Sequence, residues 1–159
     1  MINSNIVKLA FSVLVCELVA LLGSLVTMPS IEGWYATIQK PFFNPPSWIF
    51  APVWTVLFLL MGISLYLIVR ERLLSRESRV AVLFFGVQLG LNLLWPVLFF
   101  GLHSPFFAFI EILALWLFIF ITAYNFWKIS RLSAYLLVPY LVWVAFAAVL
   151  NFSIWILNL

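Results

Sequence analysis

The chain has 159 residues, of which 67% are hydrophobic and only 8% carry a charge, and its formal net charge is +3 at pH 7. Soluble domains contain roughly a quarter charged residues, so this composition excludes a surface made for water. A chain of this length is expected to form one compact domain. We interpret the small excess of basic residues as a signal of membrane topology, and we expect no nucleic-acid partner.

Five apolar runs follow one another along the chain, and each is near the roughly 20 residues that a helix needs to cross a bilayer. A membrane β-barrel would instead need segments of about ten residues with alternating polarity. We therefore predict an all-α membrane protein, a bundle of five transmembrane helices in a single domain over residues 1–159. The predicted spans are 7–28, 51–69, 80–100, 106–127 and 134–156.

The first run is expected to remain as a helix, because it is too long for a signal peptide and has no small-residue cleavage site. Cys16 is alone in it, so the sequence predicts neither a disulfide nor a metal site, and no cofactor. Glu17 in this run and Glu111 in the fourth are candidate functional residues, because a carboxylate is expensive within lipid.

A connection over 29–50 separates the first two runs and is rich in proline and aromatic residues, including Pro41, Pro45 and Trp34. Proline fixes its own φ and restricts the residue before it. We therefore expect an ordered loop that covers one end of the bundle. The alternative is an interfacial belt, in which the aromatic rings rest at headgroup level.

The third run has two distinct faces. One carries a polar and aromatic stripe at helical spacing, and the other carries Gly86 and Gly90, four residues apart. Such a glycine pair allows another backbone to approach closely, so it predicts packing either within the chain or between two copies in a homodimer. The residues of the stripe are Gln88, Asn92, Trp95 and Phe99.

The fifth run carries a second stripe of this kind, and Trp54 in the second run adds a further large ring. Such rings either line a cavity or pack tightly as core, with Trp and Asn satisfying each other's hydrogen bonds, and the residues alone leave both readings open. The stripe consists of Tyr140, Trp143, Ala147 and Asn151.

The basic residues are distributed unequally between the two ends of the predicted bundle. Lys40 alone falls on the side that carries the C-terminus. Cytoplasmic loops are enriched in Lys and Arg, so we expect a cytoplasmic N-terminus and a C-terminus outside. The residues on the N-terminal side are Lys8, Arg70, Arg72, Arg76, Arg79, Lys128 and Arg131.

Several motifs from residue 34 to the C-terminus, in this order and spacing, resemble the TspO/MBR family, the tryptophan-rich sensory and translocator proteins also known as peripheral-type benzodiazepine receptors. The motifs are Trp34-Tyr35, Gln39-Lys40-Pro41, Asn44-Pro45-Pro46-Ser47-Trp48, Pro52-Val53-Trp54, Met61-Gly62, Gln88-Leu89, Leu91-Asn92, Trp95-Pro96, Phe99-Phe100-Gly101 and Pro139-Tyr140-Leu141. The first predicted helix resembles the family in character only.

The resemblance implies a membrane receptor or sensor, often homodimeric, that binds porphyrins such as protoporphyrin IX and heme, or related hydrophobic molecules, in an aromatic cavity under the first long loop. It implies as alternatives a light- and oxygen-dependent porphyrin-degrading enzyme, with Trp54 and Trp143 as the catalytic residues, or a transporter of tetrapyrroles or other lipophilic molecules. The ligand-binding positions it implies are Tyr35, Pro45, Trp54, Asn92, Trp95, Trp143, Phe146 and Ala147.

The chain departs from the family pattern in three places. Phe107 and Phe43 stand where many members carry Trp, and Phe152 stands where a sterol-recognition pattern would carry Tyr followed by a basic residue. Such patterns are weak evidence even when present. Its absence favours a bacterial-type ligand over cholesterol.

Overall fold

A computed structural model describes residues 4–72 and 75–159 of the chain, without the side chains of residues 71 and 72. The Arg72 side chain, which the topology prediction used, therefore lies outside the described residues. The helices are α1 Ser4–Ile31, α2 Trp34–Thr37, α3 Ser47–Arg72, α4 Arg76–Pro96, α5 Pro105–Ile129 and α6 Arg131–Leu157.

Five of these helices are long and apolar enough to cross a membrane, and the chain is a multi-pass integral membrane protein. Every backbone amide within the bilayer core must be paired inside the chain, and a helix does this within each segment. The predicted fold class, an all-α bundle of five transmembrane helices, is confirmed.

The long helices begin before the predicted apolar runs, and all of them except α4 also end after those runs. α4, for example, begins at Arg76, where the Ser75 side chain accepts a hydrogen bond from the Ser78 amide and caps the helix. The segment predicted as an ordered loop, 29–50, is partly helical: it contains the end of α1, all of α2 and the beginning of α3.

A π-helical segment, Val97–Gly101, follows α4 directly. Pro96 ends α4 and has no amide hydrogen, and the Leu102 amide then donates to the Val97 carbonyl at 2.8 Å, five residues back. The Ser104 amide donates to Leu98 at 3.1 Å, which closes the turn into α5. Segments of this kind are frequent at functional sites.

Consecutive long helices run antiparallel, so α3 and α5 end where α4 and α6 begin. We call this the basic end of the bundle, and we call the opposite end, which the loop after α1 covers, the loop end. α5 packs between α4 and α6, while α1 packs on α3. At Gly62 a Cβ would lie 2.6 Å from Val13 Cα, so glycine permits the close approach of α1 and α3.

Apolar and polar residues are distributed as a membrane solvent requires. Large apolar side chains such as Phe11 and Leu83 are 68% and 64% exposed, since lipid is their solvent. Polar side chains such as Gln88, Asn151 and Glu111 are buried in the bundle. Glu17 is half-buried on α1.

The glycine pair of α4 lies on the outer face of the bundle. Gly86 and Gly90 are exposed, and a Cβ at either position would meet no atom within 4 Å. Of the two expected packing arrangements, the one within the chain is therefore not formed in this protomer. The glycines leave a flat strip open on the lipid-facing side of α4.

Candidate functional site

The loop end of the bundle is organised around Tyr35 on α2, which is buried. Its ring packs against Phe99 and Phe100 with centroids 6.3 and 5.6 Å away, and its hydroxyl donates to Asn44 Oδ1 at 3.0 Å. Burial raises the pKa of the Tyr35 hydroxyl, and the hydrogen bond to Asn44 offsets part of that rise. Lys40 Nζ lies 4.7 Å from the ring centre.

Two sets of hydrogen bonds hold this loop against the helices. The Gln39 amide donates to Asn158 Oδ1 and Asn158 Nδ2 donates back to the Gln39 carbonyl, both at 2.9 Å, which ties the loop to the end of α6. On the other side the Ser30 hydroxyl donates to the Phe100 carbonyl at 2.7 Å. The loop is therefore an ordered cover.

His103 adds a third attachment. Its ring stacks on Trp34 with centroids 4.6 Å apart and lies 3.4 Å from the Ser30 hydroxyl. The residue has a φ of 52°, which few side chains other than Asn, Asp and His adopt. This strained turn therefore presents the imidazole to the loop.

Beneath the loop, aromatic side chains from several elements form one apolar group, which we call the loop-side cluster. Trp95 stacks on Phe99 at 4.9 Å, and Phe43 of the loop meets Phe146 of α6 at 6.4 Å. Its buried members are Tyr35, Phe99, Ala108, Leu150 and Ile154, with Trp34, Ile38, Phe43, Phe50, Trp95, Leu98, Phe100 and Phe146 packed against them.

The rings of Trp143 and Trp54 extend this aromatic region towards α3. Trp143 lies between Phe50 at 6.0 Å and Phe146 at 5.6 Å. Trp54 on α3 faces Tyr140 at 6.2 Å. Trp54, Trp143 and Ala147 are partly buried and pack against the larger apolar core of the bundle, which includes Phe58, Tyr140 and Val144.

The polar stripes of α4 and α6 meet in the interior. Asn92 Nδ2 donates to the Tyr140 hydroxyl at 2.7 Å, and that hydroxyl donates to Gln88 Oε1 at 2.9 Å. Trp95 Nε1 donates to Asn151 Oδ1 at 3.0 Å. For Trp95 and Asn151, the alternative expected from the sequence therefore applies: the two side chains satisfy each other's hydrogen bonds in a packed core.

Three side chains in the described part of the chain have buried polar atoms without a hydrogen-bond partner. These atoms are the Trp143 indole nitrogen, Gln88 Nε2 and both carboxyl oxygens of Glu111. An unpaired buried donor or acceptor costs about 1–3 kcal/mol. Of these three residues, Trp143 has a ring that contacts the aromatic side chains of Phe50 and Phe146 near the loop.

Six of the eight predicted ligand-binding residues pack in the two apolar clusters, with Trp54, Trp143 and Ala147 against the core of the bundle. Tyr35, Trp95 and Phe146 belong to the loop-side cluster. Asn92 lies deeper, in the hydrogen-bonded chain, while the Pro45 carbonyl in the loop accepts from Asn44 Nδ2 at 3.1 Å.

Sequence reasoning left Tyr140 out of the predicted site, although it marked the stripe that contains this residue. Tyr140 is fully buried and joins Asn92 to Gln88, so it is central to the polar chain. The spacing along α6 was the available signal. The partners on α4 became evident only from the packing of the two helices.

The five-helix fold and the loop-covered aromatic region define a class of small integral membrane proteins with a few buried polar side chains inside an apolar bundle. A family model described as TspO/MBR family matches residues 12–156. The chain belongs to the TspO/MBR family, and the expected membership is confirmed.

Several relatives have similar sequences over most of their length. The chain is 46% identical over 154 residues to a tryptophan-rich protein TspO of Archaeoglobus fulgidus, covering 97% of this chain and 99% of the relative. It is 42% identical to a tryptophan-rich protein TspO of Chlorobaculum tepidum, covering 98% and 99%. It is 38% identical to the translocator protein of Homo sapiens, covering 77% and 73%.

Proposed function

We propose that this membrane protein is a receptor or sensor that binds a porphyrin, such as protoporphyrin IX or heme, beneath the loop. The observation that carries the proposal is the buried indole N–H of Trp143, which has no acceptor among the described residues and belongs to a ring that contacts Phe50 and Phe146. Family membership supports the same ligand class.

The chemistry of the region suits a flat macrocycle. Ligand sites are mostly apolar and contain a few polar groups that set orientation. Here Trp54, Trp143 and Phe146 supply ring faces, while the Trp143 N–H is a free donor for a carboxylate or ring nitrogen. A donor that gains an acceptor on binding removes the desolvation penalty it carries in the unbound protein.

The contacts at the site indicate how it would open. Phe43 comes from the loop and contacts Phe146, while Phe50 lies at the start of α3 and contacts Trp143. Movement of the loop away from the helices separates the first pair of rings. We therefore propose that the ligand binds by displacing the Phe43 side of the loop, and that it enters from the lipid.

The experiment is a titration of the purified protein with protoporphyrin IX in the dark, followed by tryptophan quenching. Trp143→Phe removes the indole N–H, and we expect binding to weaken by about ten- to a hundredfold, since a hydrogen bond to a charged group contributes about 1.5–3 kcal/mol. Trp116→Phe is the matched control, because the Trp116 N–H already donates to the Leu141 carbonyl at 3.2 Å. Equal affinities in the two variants would contradict the site.

The same preparation separates binding from its two alternatives. Illumination with oxygen tests consumption of the porphyrin, for which Trp54 and Trp143 would be the catalytic residues. Loss of pigment at the rate of a protein-free control would remove the enzyme, and retention of ligand inside proteoliposomes would remove the transporter.

We further propose a homodimer through the open strip of α4. Gly86 and Gly90 are exposed there beside Val87, which is 37% exposed. A Cβ at either glycine meets no described atom within 4 Å, so leucine there should leave the fold intact and block a close helix pair. We expect Gly86→Leu/Gly90→Leu to be monomeric by native mass spectrometry, while Ala145→Leu, on the exposed face of α6, stays dimeric.

We also propose a cytoplasmic N-terminus and a C-terminus outside. The support is the basic end, where Lys8, Arg76 and Lys128 lie at helix ends on the same side of the bundle. Reporter fusions that are active only in the cytoplasm test this orientation. A C-terminal fusion that is active there would reverse the assignment.

A further inference from the structure

A groove of about 330 Å³ opens at the basic end, between the first turns of α4 and the last turns of α5. Its position is opposite to the loop, so it is separate from the proposed porphyrin site. The residues that line it are Arg76, Glu77, Val80, Asn125 and Lys128.

The groove has the charge of an anion site. Among the described residues that line the groove, Arg76 and Lys128 contribute two cations against the one carboxylate of Glu77, and all three side chains are exposed. The N-terminus of α4 adds a partial positive charge, since Arg76 is its first residue. The Asn125 amide donates one hydrogen bond, to the Ile121 carbonyl at 2.8 Å, and its oxygen and second N–H have no partner among the residues that the structure describes.

The side chains around the groove mark the headgroup level of a bilayer. Lys128 lies over the Tyr124 ring at 4.2 Å and Arg131 over the Trp127 ring at 5.3 Å. Tyr and Trp with adjacent cations are typical of the membrane–water interface. A group that enters the groove therefore sits where lipid phosphates lie.

An apolar track continues from the groove towards the centre of the bilayer. Phe84 is one helical turn beyond Val80, and Phe118 is two turns before Asn125, so both lie on the faces that form the groove. Their half-buried rings meet at 6.1 Å between α4 and α5. A basic groove at headgroup level with an apolar track below it matches a phospholipid, which joins a phosphate to acyl chains.

We propose that this groove binds the headgroup of an anionic phospholipid, with its phosphate between Arg76 and Lys128 and an acyl chain along Phe84 and Phe118. Asn125 supplies a neutral hydrogen-bond donor to the headgroup. Glu77 repels the phosphate and so weakens the site. The inference does not depend on the proposed porphyrin function.

The test measures how phosphatidylglycerol binds to the purified full-length protein in phosphatidylcholine nanodiscs, by native mass spectrometry and by the shift in thermal unfolding. Arg76→Gln/Lys128→Gln should bind phosphatidylglycerol about 25-fold more weakly, because each of the two cations near a membrane contributes about fivefold. Glu77→Gln should bind it more tightly than the parent. In pure phosphatidylcholine all variants should unfold at the parent's temperature, because the exchanged side chains are exposed.

The matched control is Lys8→Gln/Arg131→Gln, which removes the same charge from the same end without touching the groove. It should keep the phosphatidylglycerol affinity of the parent. An equal loss in this control would show diffuse attraction by the whole basic end and would overturn the site. Saturation of the groove by inorganic phosphate at the same affinity as by phosphatidylglycerol would overturn the lipid assignment.

Discussion

Each end of the bundle contains a reciprocal pair of hydrogen bonds, and the two pairs differ chiefly in their surroundings. Towards the basic end, the Ser64 hydroxyl donates to the Ser133 carbonyl at 2.8 Å and the Ser133 hydroxyl to the Ser64 carbonyl at 2.7 Å, with both residues buried. At the loop end, Gln39 and Asn158 exchange two bonds of 2.9 Å on an exposed surface. Similar geometry therefore serves a buried helix contact in one place and an exposed loop attachment in the other.

The difference shows that exposure decides what such a pair contributes. Water competes for the exposed bonds of Asn158, whereas no water competes for those of Ser133. The loop end must therefore gain its stability from apolar packing. Tyr35 against Phe99 and Phe100 is the contact that provides it.

The largest effect is expected for Tyr35→Ala, which removes a buried ring from the loop-side cluster. Truncation of a large buried side chain costs about 3 kcal/mol, so we expect the loop end to open well below the unfolding temperature of the parent. Hydrogen exchange at the α2 amides measures this. Tyr35→Phe keeps the ring and should stay close to the parent, and equal protection in the alanine variant would show that the packing is not what orders the loop.

The buried serine pair should give the next largest effect. Ser64→Ala/Ser133→Ala removes both hydroxyls between α3 and α6 and should destabilise the bundle by about 2 kcal/mol, near the upper range for hydrogen bonds in membranes. Equilibrium unfolding in mixed micelles gives the value. Ser153→Ala is the control, because its hydroxyl bonds only to Val149 in the preceding turn of the same helix and is exposed.

The fold could be predicted from the sequence because each membrane span is a continuous apolar run. Such a run can be recognised without knowing which other helix it packs against. The ends were less predictable: α4 begins at Arg76, four residues before its apolar run, because the Ser75 cap and backbone pairing continue into polar sequence. The glycine pair shows a further limit. Its spacing predicted close packing, but whether a helix of the same chain fills the strip depends on the global arrangement.

The sequence could predict which residues of the candidate site share one face of a helix, but not which residues of different helices form hydrogen-bonded pairs. Spacing along one helix places Asn92 and Trp95 on one face, as predicted. That Asn92 bonds to Tyr140 and Trp95 to Asn151 depends on the register of α4 against α6. No local pattern contains that register, so the unpaired Trp143 indole could not have been identified from the sequence.

The exposed pair at the loop end should contribute less than the serines. Asn158→Ala removes both bonds to Gln39 and should lower the local stability of the loop by about 1 kcal/mol, without changing the unfolding of the bundle. Exchange of the Gln39 amide hydrogen reports it. Gln39→Ala is the matched control, since only the backbone of Gln39 is used. A loss as large in that variant would mean that the side chain holds the loop instead.

The smallest effect at neutral pH concerns the Tyr35 hydroxyl. Because burial raises its pKa in the folded protein, the unfolded chain loses this proton first as the pH rises through the ordinary value near 10. The folded state then holds more protons than the unfolded state, so the stability that Tyr35 contributes falls with rising pH and is unaffected at pH 7. Thermal unfolding of the parent between pH 9 and about 11 should therefore fall more steeply than that of Tyr35→Phe. If the unfolding temperatures of the two proteins fell in parallel with pH, water would already reach the Tyr35 hydroxyl. The apolar interior of the loop end would then differ less from the exposed Gln39–Asn158 pair than the packing indicates.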